Sequence, residues 1–173
     1  MALKALRGMA REMLRGLGCH EDTELSLLLT DNEGIRALNR RYLDRDRPTD
    51  VLSFPMMEGR ELGADIPPLI QAFKGRHSTP DTGIQGQASR IPVLLGDVVI
   101  SIEKARKQAE ELGVTMDEEL SRLLVHGILH LFGFDHEKSS KEAQRMKKEE
   151  ERLWKIVNCK MKNENGRVCI GRR

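Results

Sequence analysis

The segment from Thr115 to Phe132 constrains the fold more than any other part of the chain. Thr115 and Glu118 form the T-x-x-E box that caps a helix start, and Leu120, Leu123, Leu124, Val125, Ile128, Leu129, Leu131 and Phe132 then cover almost the whole circumference. A helix apolar on most sides is buried on most sides, so the rest of the chain has to wrap it. His126 and His130 sit in its most apolar stretch, four residues apart and therefore on one face, able to aim both imidazoles at a common point. Gly133 follows, the residue best able to take the left-handed conformation that ends a helix, and His136 can then fold back toward the pair.

The flanking elements follow from periodicity and breakers. A first amphipathic helix, about residues 2 to 17, puts Leu3, Leu6, Met9, Ala10, Met13, Leu14 and Leu17 on one stripe and ends at Gly18. LSLLLTD reads as a buried strand and DNEGIRALNRRYL as a helix starting near Asp31. DVLSFP is a short strand stopped by Pro55, which suits a sheet edge or a strand end. LLGDVVIS reads as a central strand, followed by a helix over about 102–112 closed by Gly113. A final helix, about 139–157, is charged on one side and apolar at Ala143, Met146, Leu153, Trp154 and Val157.

From 57 to 92 the pattern dissolves into Gly, Pro, Ser, Thr and Gln, and so long a connection in one domain is expected to be a mobile, partly ordered insertion with a short helix at PPLIQAFKG. The lone His77 within it is expected to be solvated. Three strands separated by helices, with connections too long for tight hairpins, predict an α+β fold. It is a small mixed sheet packed with about five helices, one of them a histidine helix of metalloprotease type. With 173 residues and 39% hydrophobic content the chain suits one domain, placed at 1–158, with 159–173 as a loose basic tail. At 3% aromatic residues, the core must be built mostly from Leu, Ile, Val and Met.

Charge is nearly balanced, 29 basic against 27 acidic residues, so net charge names no partner. Its distribution says more: Lys4, Arg7, Arg11 and Arg15 line the first helix, and Arg36, Arg40, Arg41, Arg45 and Arg47 crowd one short stretch. Such clusters fit a polyanion or ordinary solvated faces, and charge alone does not separate the two. Cys19, Cys159 and Cys169 are an odd number without a CxxC pair. They read as free thiols in a reducing compartment, which argues against both a disulfide framework and a thiolate zinc site. The N-terminal stretch has no uninterrupted apolar run and no small-residue cleavage pattern, and with Glu12 and scarce serine it is a poor transit peptide; a cytoplasmic location without membrane contact is expected.

One buried imidazole is usually a satisfied core residue. Two at i and i+4 on an apolar helix with a third past the terminating glycine are hard to explain by packing, because each ring nitrogen needs a partner. Metal ligation meets that need. Neutral imidazoles without thiolates favour zinc over other borderline divalent ions, and three protein ligands leave the fourth position open, as in catalytic sites. Water there could lose a proton near pH 7 and attack a carbonyl or phosphorus centre. Asp135 is the nearest fourth ligand for a structural site, but it fits better as a carboxylate orienting a ligand from behind. The spacing H-x-x-x-H-x-x-G-x-x-H is also that of metzincin proteases, whose motif has a glutamate after the first histidine. Here that position is Gly127, so peptide hydrolysis lacks its general base, whereas RNA carries its own 2′-hydroxyl nucleophile.

HGILHLFGFDH, together with RPTDVLSFP (47–55), LLGDVVIS (94–101) and IRALNRRYL, resembles the YbeY family of bacterial and organellar endoribonucleases that mature and quality-control ribosomal RNA. The resemblance covers most of residues 20–157. It implies one zinc ion held by His126, His130 and His136, cleavage of single-stranded RNA, 3′-end maturation of 16S ribosomal RNA and contact with the small ribosomal subunit. There are two departures. The arginine that commonly follows the tyrosine before the TDVLSFP strand, and helps hold RNA phosphate, is Leu43 here, leaving Arg41 and Arg45 as candidates for that role; and the 57–92 connection is longer than the family's usual one. Two other readings remain: a ribosome-assembly factor whose zinc is structural, and a metalloprotease, against which Gly127 counts.

Overall fold

The structure, a computed structural model, describes residues 3–56 and 93–164. The expected insertion at 57–92, its short helix and His77 lie outside the described residues, as does the end of the expected tail. In chain order the elements are α1 (Leu3–Gly16), β1 (Thr23–Thr30), α2 (Asn32–Leu43), β2 (Val51–Pro55), β3 (Val93–Ser101), α3 (Ile102–Leu112), α4 (Met116–Leu131) and α5 (Ser140–Glu164). Among the described residues this is an α+β fold of five helices and one three-stranded mixed sheet.

Local chemistry sets the helix starts. Asp31 accepts from the Gly34 amide, Ser101 from that of Lys104, and Thr115 and Glu118 form the reciprocal capping box read from the sequence. Helix α5 runs past Val157, where the apolar stripe had suggested an end, to Glu164. The reason is local: residues 158–164 contain neither glycine nor proline, and the next glycine is Gly166. The first part of the expected tail is therefore helical.

Strand β3 is central, parallel to β1 and antiparallel to β2, as the continuous apolar run of LLGDVVIS suggested. Strand β2 is an edge, and Pro55 stands at its end. The β1–β3 ladder is irregular between Glu24 and Leu25, which allows Leu95 and Val98, three residues apart, to join the same core cluster. On that face α4 packs across β2 and β3, and α1 and α5 close over it with Leu6, Met13, Leu17, Met146 and Leu153. The opposite face is smaller, with Ile35 and Leu38 of α2 packed on Leu52, Phe54 and Val99. Helix α4 thus lies between the sheet and two helices, and Leu124, Ile128, Leu129 and Phe132 are all fully buried. Among the described residues no helix is long and apolar enough to cross a membrane.

Candidate metal centre

The buried helix places His126 and His130, and its termination places His136. Helix α4 ends at Leu131 and is capped by Phe132; Gly133 follows with φ +80°, and its amide donates to the carbonyl of His130 at 2.9 Å while that of Phe134 donates to Leu129 at 3.1 Å. Phe134 is buried and anchors the reversed chain, so residue 136 comes back alongside the last turn. The three rings each offer a nitrogen, and these atoms lie within 4.8 Å of one another. Nε2 of His126 and Nε2 of His130 are 3.0 Å apart. His136 is exposed and the other two rings are half-buried, which leaves the cluster an open side.

This donor set fits a tetrahedral divalent ion. Two imidazole ligands at zinc distances stand about 3.3 Å apart, so the His126–His130 pair needs to open by only a few tenths of an ångström. Burial, then the neighbouring His126 and His136, push the His130 pKa below its ordinary value, against the pull of Asp135 and the Phe134 backbone. The neutral ring that a metal ligand must present is therefore favoured.

A residue not singled out from the sequence completes the arrangement. Oε1 of Glu150, on α5, lies 2.7 Å from Nδ1 of His126. The hydrogen bond to His126 holds the Glu150 carboxyl below the usual carboxylate range despite its partial burial. A signal was present: Ala143, Met146, Leu153 and Val157 are spaced three or four apart around an unfilled position, and Glu150 fills it. Within the run Glu149, Glu150 and Glu151 it passes for one more solvated acid.

Asp135, expected to orient a histidine, sits close enough for its charge to act on His130, but its Oδ1 accepts from the Glu137 amide at 2.9 Å and braces its own turn. Arg41 lies in the last turn of α2 with its guanidinium 5.4 Å from the Tyr42 ring centroid, and Arg45 follows the helix, its amide donating to the Asn39 carbonyl. Both are exposed. Gly127 faces the sheet: a Cβ there would lie 2.7 Å from Cγ1 of Val98, and its carbonyl accepts from the Ser53 hydroxyl at 2.9 Å.

The family model described as "Endoribonuclease YbeY" matches residues 2–158. The chain belongs to the YbeY family. Among its relatives, the protein named Endoribonuclease YbeY of Geobacter metallireducens is 41% identical over 153 residues, which is 88% of this chain and 84% of that protein. That of Sulfurihydrogenibium sp. is 38% identical over 158 residues, 91% of this chain and 85% of the relative. The solution structure of TM1509 from Thermotoga maritima aligns over 99% of this chain and 94% of its own with a TM-score of 0.55; at 22% identity it supports the fold alone. The YbeY match takes in all three histidines and Glu150, and extends the likeness to α1, which the sequence motifs had left out. Leu43, where the resemblance had led to an expected arginine, is half-exposed at the end of α2, beside Arg41 and Arg45.

Proposed function

We propose that this chain is a zinc-dependent endoribonuclease that cleaves single-stranded RNA, matures the 3′ end of 16S ribosomal RNA on the small ribosomal subunit and serves ribosome quality control in the cytoplasm. The observation that carries the reading is the convergence of His126, His130 and His136 on one point with an open side, in a YbeY-family chain. Zinc held there supplies Lewis acidity toward a phosphate oxygen or a water molecule. The chain's own contribution is to hold two rings rigidly on a buried helix and to leave the third at the surface, where a polymer has access. Gly127 offers no proton acceptor, which disfavours peptide hydrolysis, whereas the RNA 2′-hydroxyl is a nucleophile already in place. A thiol role at Cys19 is unsupported, because burial pushes its pKa up to about 12.

Arg41 and Arg45 are the proposed phosphate holders. Replacing both with alanine is expected to lower the affinity for single-stranded RNA by about tenfold and to flatten the log–log salt dependence by about 0.7 for each phosphate no longer held. Fluorescence anisotropy at several salt concentrations reads both, and an unchanged affinity and slope would remove the two arginines from the interface.

The test of the function uses a single-stranded RNA carrying the 3′ end of 16S ribosomal RNA and its precursor extension. Chelation is expected to stop cleavage with an unchanged circular dichroism spectrum, and added zinc to restore it. The apolar cluster around Phe132, Leu129, Met146 and Leu153 is made of side chains other than the three histidines, which supports an open site rather than a structural one. Unfolding on chelation would favour the assembly-factor reading instead, and digestion of casein the protease reading.

A further inference from the structure

The stripe that α5 turns to the core is apolar except at Glu150. Met146 and Val157 are 1% exposed and Leu153 0%, and the Glu150 side chain between them is 34% exposed, so its carboxylate is partly desolvated and favours a polar partner. Its partner is the Nδ1 edge of His126 at 2.7 Å. Glu150 also feels the positive charge of Arg122, one helical turn before His126, whose guanidinium donates to both oxygens of Glu119 at 3.0 and 2.9 Å; Glu119 is itself 1% exposed. Glu150 is not in the group of donor atoms that converge on the open point, and its oxygen on His126 faces the far edge of that ring.

We propose that Glu150 is a positioning residue of the metal centre: by accepting the Nδ1 proton of His126, it keeps the Nε2 lone pair of that ring turned toward His130 and His136. The proposal rests on the reading of the histidines as a metal centre, and is independent of which bond the protein cleaves. A neutral imidazole carries one N–H, and the choice of nitrogen decides whether the ring can ligate through the atom that faces the cluster. With Nε2 atoms 3.0 Å apart, a His126 proton placed on Nε2 would point at His130 and remove the donor from the site. A carboxylate behind Nδ1 makes the other tautomer the stable one and raises the basicity of the ligating nitrogen. Because Glu150 comes from α5 and both helical histidines from α4, docking of the C-terminal helix becomes part of building the site.

The experiment compares the full-length wild type with Glu150→Ala and Glu150→Gln. Zinc affinity is measured by competition with a chromophoric chelator, and the His126 tautomer by imidazole nitrogen–proton NMR of the metal-free chain, its signals assigned from their loss in His126→Ala. The wild-type ring is expected to carry its proton on Nδ1. Glu150→Ala is expected to bind zinc 10- to 100-fold more weakly and to show both tautomers. Glu150→Gln keeps an acceptor oxygen at the same reach and should recover part of the affinity and the Nδ1 preference; it decides the matter if the alanine variant does not fold. Zinc affinity within twofold of wild type in the folded variants, or a wild-type proton on Nε2, would overturn the proposal, as would a lower melting temperature with unchanged affinity and tautomer. A wild-type chain that binds no zinc while holding the Nδ1 proton would overturn the metal reading on which the proposal stands.

Discussion

His130→Ala is expected to lower the rate of cleavage of a single-stranded 16S precursor RNA by at least about a thousandfold, with the metal-free fold intact. A catalytic metal ion stabilises transition-state charge by several kcal/mol, and each 1.4 kcal/mol is a factor of about ten in rate. Removing one of three imidazoles leaves two, and His136 comes from outside the helix, held by the turn at Gly133 rather than by a rigid repeat. Stability should change little, because the ring is only half-buried and the hydrophobic cluster around Leu129 and Phe132 closes without it. The comparison of melting curves belongs in the absence of zinc, since a ligand that binds only the folded wild type raises its apparent stability. Equal cleavage by the two proteins, or cleavage by neither, would take the histidines out of an active ribonuclease site and bring the assembly-factor reading forward.

Gly127→Glu is expected to destabilise the fold by at least about 4 kcal/mol, a large share of the roughly 5–15 kcal/mol of a typical domain. A Cβ at this position would stand 2.7 Å from Cγ1 of Val98, 3.1 Å from Cγ2 of Val51 and 3.2 Å from Oγ of Ser53, so α4 could not keep its distance from the sheet. Overpacking of this kind costs about 1–3 kcal/mol, and a carboxylate forced against β2 and β3 adds an unpaired charge. Gly127→Ala isolates the first effect. A gain in helix propensity of about 1 kcal/mol offsets part of it, leaving a net loss of at most about 2 kcal/mol. Urea denaturation of both variants checks the ordering, and a Gly127→Glu protein as stable as wild type would show that helix and sheet have room to separate. If the ordering holds, the glutamate of the metzincin motif cannot simply be restored, because in this fold its position is taken up by helix-to-sheet packing.

The helices, the capping box at Thr115 and Glu118, the central place of LLGDVVIS and the edge place of DVLSFP could all be read before the structure, because each depends on neighbours within a few residues. The expected end of the last helix fell short of Glu164, since an apolar stripe marks where a helix is packed rather than where it stops. Oδ1 of Asp135 is engaged within its own turn, while Glu150, one acid of an acidic run in the sequence, reaches His126 from another helix.

By itself the sequence determined what short-range geometry controls: a 3.6-residue repeat put His126 and His130 on one face, and Gly133 turned the chain to return His136. Only the tertiary structure decided the pairings across 24 residues, from Glu150 to His126, and across 74, from Ser53 to the Gly127 carbonyl. Those pairings exist because α5 and β2 dock against opposite parts of one buried helix, and docking depends on how whole surfaces pack, which no local spacing encodes.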